Sequence, residues 1–204
     1  VDQYTEEGLK RLLDFQHEDG GWGFWQNDDS SVFMTSNVLL GLMEAKASGY
    51  AVRDDVIRQG VAYLAQQIAR PSLNNPNAKA YAHYALARTG YPKTGLDDIL
   101  REKGLTAYGL SLGILAYLNS DQKEKAEAAL DRLMKMATIR NQTAHWNVKT
   151  TQYAWNDDDV EATALALEAL TRLRPTDPMV SKVVQWLLLE RKGERWVSTK
   201  DTAA

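Results

Sequence analysis

What most limits the fold of this 204-residue chain is the order in which two kinds of helix take turns along it. Leu9, Leu12 and Leu13 form one apolar stripe, and Ile57, Val61, Leu64, Ala65 and Ile68 form a second at the spacing of a helix with one wet face. Ala126, Ala129, Leu130, Leu133 and Ala137 give a third, and Val180, Val183, Val184 and Leu187 a fourth. Between them lie 34–47, 78–89, 104–118 and 160–170, with runs such as "VLLGLMEA", "AKAYAHYALA", "GLTAYGLSLGILAYL" and "VEATALALEAL", apolar on nearly every side. A helix with no polar face has to be enclosed by protein. The order amphipathic, buried, amphipathic, buried therefore predicts helical hairpins with one member outside and its partner inside. The intervals between buried helices are unequal, which argues against a solenoid of fixed repeat. The expectation is an all-α fold of the α/α-toroid class, one domain over 1–204, with no convincing strand anywhere.

Punctuation agrees with these boundaries. Gly49 and Gly90 with Pro92 follow buried helices, and Asp177-Pro178 supplies an N-cap and a first-turn proline. Two connections are long: "IARPSLNNPNAK" at 68–79 and "NQTAHWNVKTTQYAWNDDD" at 141–159. The chain opens at Val1 with no leader and closes on "STKDTAA" where a helical pattern begins, so both ends read as incomplete.

Charge removes some partners. Twenty-four Lys and Arg against 27 Asp and Glu leave a net charge of -3 with no basic stripe, so no nucleic-acid partner is expected. No apolar run is long enough for a bilayer, so no membrane insertion by this chain is expected. The absence of cysteine excludes disulfides, thiolate metal sites and a cysteine nucleophile within these residues.

The turn "QHEDGGWGFW" carries the most conspicuous residues: Gln16, Asp19, Gly20, Gly21, Trp22 and Trp25. It enters one buried helix as Trp146 and Trp155 enter another, so the two stretches read as equivalent positions of a diverged repeat. Such tryptophans could line a ligand pocket. At a loop-to-helix junction they more naturally plug the gap between hairpins, with the ring filling volume and the N–H near a partner. Asp28-Asp29 and Asp157-Asp158-Asp159 could hold a divalent cation, but a position just before a helix favours capping, and the ligand alternation of an EF-hand is missing. His17, His83 and His145 show no metal-ligand spacing, and no GxSxG elbow or strand-led glycine loop is present. The residues point to no cofactor, no metal and no catalytic set.

"LLDFQHEDGGWGFW" followed by "SSVFMTSNVLLGLMEAKASGY" resembles the thioester-containing domain of the α2-macroglobulin and complement family, in its bacterial style. "AHW", "DDDVEATALALEAL" and the closing "VVQWLLLERKGERWVSTKDTAA" continue the likeness in the family's order over essentially the whole chain. The resemblance implies an α/α toroid and makes Gln16, Asp19, Gly20, Gly21, Trp22, Trp146, Trp196, Ser198, Thr199, Asp201 and Thr202 a structural motif set. It also implies a part in a broad-spectrum endopeptidase inhibitor that traps proteases outside the cytoplasm, in the periplasm, at the cell surface or secreted, with no turnover. The implied partners are other domains of a parent chain and target proteases. In that family a CGEQ- or CLEQ-type tetrapeptide forms the internal thioester. Without cysteine this chain cannot, so the tetrapeptide either precedes Val1 or is absent from this branch. A terpenoid-cyclase-like enzyme is the chief rival, since the same turn resembles a QW element, although "NDDDVE" copies a DxDD proton donor poorly. A helical scaffold or interaction module is the third reading.

Overall fold

A computed structural model describes residues 2–91, 95–148 and 158–191. The chain divides into two compact units, Val1–Ile99 and Leu100–Ala204. Among the described residues the architecture is all-α apart from one short hairpin, and no helix is long and apolar enough to cross a membrane.

The first unit holds α1 (Asp2–Asp14), α2 (Val32–Ala47), α3 (Asp54–Ile68), α4 (Pro76–Arg88) and the short α5 (Leu96–Ile99). α2 packs against both α3 and α4. Leu39, Leu42 and Leu64 are fully buried, with Val56, Ile57, Tyr63, Ala82, Ala85 and Leu86 around them. α4 is one of the nearly enclosed helices, burying residues from Pro76 to Leu86. α2 is less enclosed than its sequence suggests: Thr35, Ser36, Val38, Leu39 and Leu42 are buried, while Asn37, Gly41 and Lys46 face solvent. Its start is set by Ser31, whose hydroxyl accepts the Met34 N–H. α4 starts at Asn75, whose side chain accepts the N–H groups of Asn77 and Ala78, with Pro76 pre-set for the first turn.

The second unit holds α6 (Ala107–Leu118), α7 (Lys123–Lys135), β1 (Thr138–Arg140), β2 (Thr143–His145), α8 (Asp159–Leu173) and α9 (Pro178–Glu190). α6 is buried from Ala107 to Tyr117, as a helix without a polar face requires, and packs against α7 and α8. α7 offers it one stripe, Ala126, Ala129, Leu130 and Leu133. The hairpin corrects the strand-free expectation. Thr138 pairs with His145, Ile139 with Ala144 and Arg140 with Thr143, and Asn141 makes the turn at φ 53°. α9 lies against β2 and α8 but buries only Val183, leaving Val184, Leu188 and Leu189 exposed.

Candidate functional site

The glycine turn is built from backbone outward. Gln16 donates its side-chain amide to the carbonyls of Gly20 (2.9 Å) and Val56 (3.0 Å), which ties the end of α1 to the start of α3. Asp19 accepts the Gly21 N–H at 2.9 Å. Gly20 takes φ 85°, and a Cβ there would fall 2.6 Å from the Gln59 carbonyl oxygen, so only glycine fits.

Trp22, 2% exposed, follows this turn. Its backbone N–H donates to Thr35 Oγ1 on α2 at 2.9 Å, the Thr35 hydroxyl donates back to the Trp22 carbonyl at 3.4 Å, and the indole Nε1–H donates to the Leu12 carbonyl at 2.7 Å. The ring lies where a Cβ on Gly60 would approach within 2.9 Å, so α3 passes this close only because residue 60 has no side chain. The second unit repeats the device. Trp146, fully buried, donates its backbone N–H to Thr163 Oγ1 on α8 at 3.1 Å, accepts the Thr163 hydroxyl at 3.5 Å, and donates its indole N–H to the Leu133 carbonyl at 2.7 Å. In each unit the ring satisfies a carbonyl near the C-terminus of the preceding helix, and a threonine stitches the backbone to the helix that follows.

Three aspartates of the acidic runs serve the backbone. Asp158 caps α8 by accepting the Val160 N–H (2.7 Å), and Asp159 accepts the Val148 N–H (2.6 Å). Asp28 is not a helix cap, since Ser31 fills that place; it accepts the Phe24 N–H at 2.8 Å inside the 22–31 loop. Among the described residues no group of three or more His, Cys, Asp or Glu could hold a metal ion.

His17, Ser30 and Asp19 come together and invite a nucleophile reading that their geometry opposes. Ser30 donates its one hydroxyl proton to Asp19 Oδ1 at 2.7 Å, so His17 Nδ1, 2.9 Å from Ser30 Oγ, is the donor in that pair. The basic Nε2 is then enclosed with no hydrogen-bond partner. A serine nucleophile needs the reverse arrangement, with its proton turned toward the imidazole. An open cleft of about 580 Å³ lies beside this group, between residues 14–19 and 26–30. Tyr63 donates its hydroxyl to the Ser30 carbonyl at 2.7 Å; burial, with the charges of Asp19 and Asp29, pushes its pKa up to about 12. His83, on α4, is pushed down to about 4 by burial, as a core histidine is. His145 stacks on Trp186 at 4.6 Å.

Of the residues singled out by sequence, Gln16, Asp19, Gly20, Gly21 and Trp22 meet in the first unit, and Trp146 holds the matching place in the second. Trp155, Asp157, Trp196, Ser198, Thr199, Asp201 and Thr202 lie outside the described residues. Sequence reasoning passed over Thr35, Thr163 and Gly60. The two threonines follow their tryptophans by 13 and 17 residues, so no fixed spacing announces them.

A family model described as the A-macroglobulin TED domain matches residues 2–77 and 95–204. An alpha-2-macroglobulin of Thermotoga maritima is 29% identical over all of this chain, which spans 12% of that relative's length. A terpene cyclase-glycosyl transferase fusion protein of Humicola fuscoatra is 24% identical over 90% of the chain and 15% of its own length. Among solved structures, trypsin-activated alpha-2-macroglobulin from Escherichia coli is similar with a TM-score of 0.78 and 22% identity, covering 98% of this chain and 14% of that one. This likeness shows the fold, the all-α, α/α-toroid class expected from the helix alternation.

Proposed function

Because the chain belongs to the A-macroglobulin TED domain family, we propose that it is one domain of an alpha-2-macroglobulin-like endopeptidase inhibitor, a body that positions a trapping apparatus and performs no turnover. The observation that carries this reading is the similarity to a bacterial alpha-2-macroglobulin over the entire chain. The Ser30 proton turned to Asp19, away from His17, supports the non-catalytic part. Residues 1–204 act as one domain assembled from two tryptophan-clasped units. Gln16, Asp19, Gly20, Gly21, Trp22 and Trp146, with Trp196, Ser198, Thr199, Asp201 and Thr202, are its structural motif. Its partners are the other domains of the parent chain and, through that chain, attacking proteases, in an extracytoplasmic setting. With no cysteine among these residues, any thioester is contributed from elsewhere in the parent.

The test is to challenge the full-length parent with trypsin, with and without prior methylamine. A cleaved parent that retains trypsin active on a small peptide but shielded from a large protein substrate is the expected result. Methylamine uptake at a cysteine preceding Val1 would make the trap covalent. Trypsin that stays free to digest the large substrate would overturn the reading. The fungal cyclase likeness supplies the rival. Conversion of a polyprenyl diphosphate by the purified chain, lost in Asp158→Asn, would favour it, although Asp158 and Asp159 both serve backbone N–H groups.

A further inference from the structure

Trp25 is 76% exposed and Phe24 44% exposed, at the tip of the 22–31 loop. The loop is not slack. Its neck is closed by the Ser31 N–H donating to the Trp22 carbonyl at 2.9 Å, and Asp28 fills the space beside Gly23 while accepting the Phe24 N–H. A tryptophan held toward water on a tied loop is apolar surface presented for covering. Across the adjoining cleft, Phe15 at the end of α1 is also exposed, at 39%.

The charge around these rings specifies what covers them. From Leu12 to Ala45 the sequence contains no lysine or arginine. Asp14, Glu18, Asp19, Asp28 and Asp29 line the cleft, and among the described residues none of the five is in a salt bridge. Asp14 feels the charge of Arg53, and Asp19 and Asp28 accept hydrogen bonds only from neutral donors. Aromatic faces beside carboxylates that no salt bridge neutralises fit lysine or arginine, whose cationic head can sit over a ring and whose stem packs on apolar surface. So few side chains make a weak free-standing interface, but a tethered partner arrives at high effective concentration and needs no more.

We propose that the 22–31 loop and the end of α1 form a docking surface, centred on Trp25, for a Lys/Arg-bearing segment of another domain of the parent chain. This rests on the reading that the chain is one domain of a larger macroglobulin-like protein, as its 12% span of the Thermotoga maritima relative supports.

The experiment has two arms. In the full-length parent, a benzophenone amino acid at position 25 is photolysed and the crosslinked peptide is sequenced. A crosslink to a basic segment of the same polypeptide is expected; a crosslink to an acidic or uncharged segment, to added protease, or to nothing overturns the proposal. In the second arm, the purified chain is titrated with an alternating Arg/Val heptapeptide and with its Glu/Val counterpart. Binding of the basic probe should weaken about tenfold in Trp25→Ala, recover in Trp25→Phe, and weaken in Glu18→Gln with Asp29→Asn. Equal binding of the two probes, or unchanged binding in Trp25→Ala, overturns it. Failed trypsin trapping with the crosslink intact would remove the proposed function and leave the docking surface, so the two failures are distinguishable.

Discussion

Truncating Trp22 would open a void against Gly60 and Leu39 and leave the Leu12 carbonyl without its indole donor. Trp22→Ala and Trp146→Ala should each lower stability by about 3–5 kcal/mol in urea denaturation. The threonines test the clasp more narrowly. Thr35→Val and Thr163→Val keep the shape but strand a buried backbone N–H, at a cost of about 1–3 kcal/mol, whereas Thr35→Ser should recover most of the loss. His83 sets an acid limit on the same scale. Burial holds its pKa at about 4 in the folded chain against an ordinary histidine value of 6.5, so the unfolded chain takes up the proton first and stability declines as pH falls from about 6.5 toward 4. Urea midpoints at pH 7 and pH 5 should differ, and His83→Leu should narrow the difference. The Asp55 carboxylate, held down to about 2 by its hydrogen bond and charge pairing with Arg53, responds only at lower pH and does not blur that window. The tryptophans were legible because large rings beside glycine turns have few structural uses. Thr35 and Thr163 were not, since a hydroxyl in an apolar helix gives no sign of whether it faces its own helix or an incoming strand of backbone.

At the scale of elements, local chemistry and packing divide the work. α4 is capped twice by Asn75 and begins on Pro76, so Asn75→Ala should cost about 1 kcal/mol in thermal or urea unfolding. α3 begins at Arg53 with no side-chain cap and relies on Asp54 and Asp55 in its first turn. Helices were readable because their apolar residues recur over three or four turns. The hairpin of Thr138–Arg140 and Thr143–His145 was not, because three residues per strand are too few for a period of two to stand out from loop composition. α2 shows the limit of the enclosure argument. Its sequence is apolar nearly all round, yet only one face is buried in the described structure, so apolarity marked it as an inner helix without fixing how much would be covered.

For the whole molecule, the sequence order of outer and inner helices was enough to reach the fold class, because enclosing polar-free helices admits few architectures. Its division into two compact units was signalled only by the repeated tryptophan turns. The closing tryptophan and STKDT elements, the most specific part of the family resemblance, fall outside the described residues. The repeated clasp also has a spectroscopic consequence. Trp22 and Trp146 each bury an indole proton in a 2.7 Å bond to a helix carbonyl, one per unit, while Trp25 stands in solvent. Proton NMR in heavy water should therefore retain the indole resonances of Trp22 and Trp146 after that of Trp25 has vanished. Each would report the opening of its own half of the chain without any label being added.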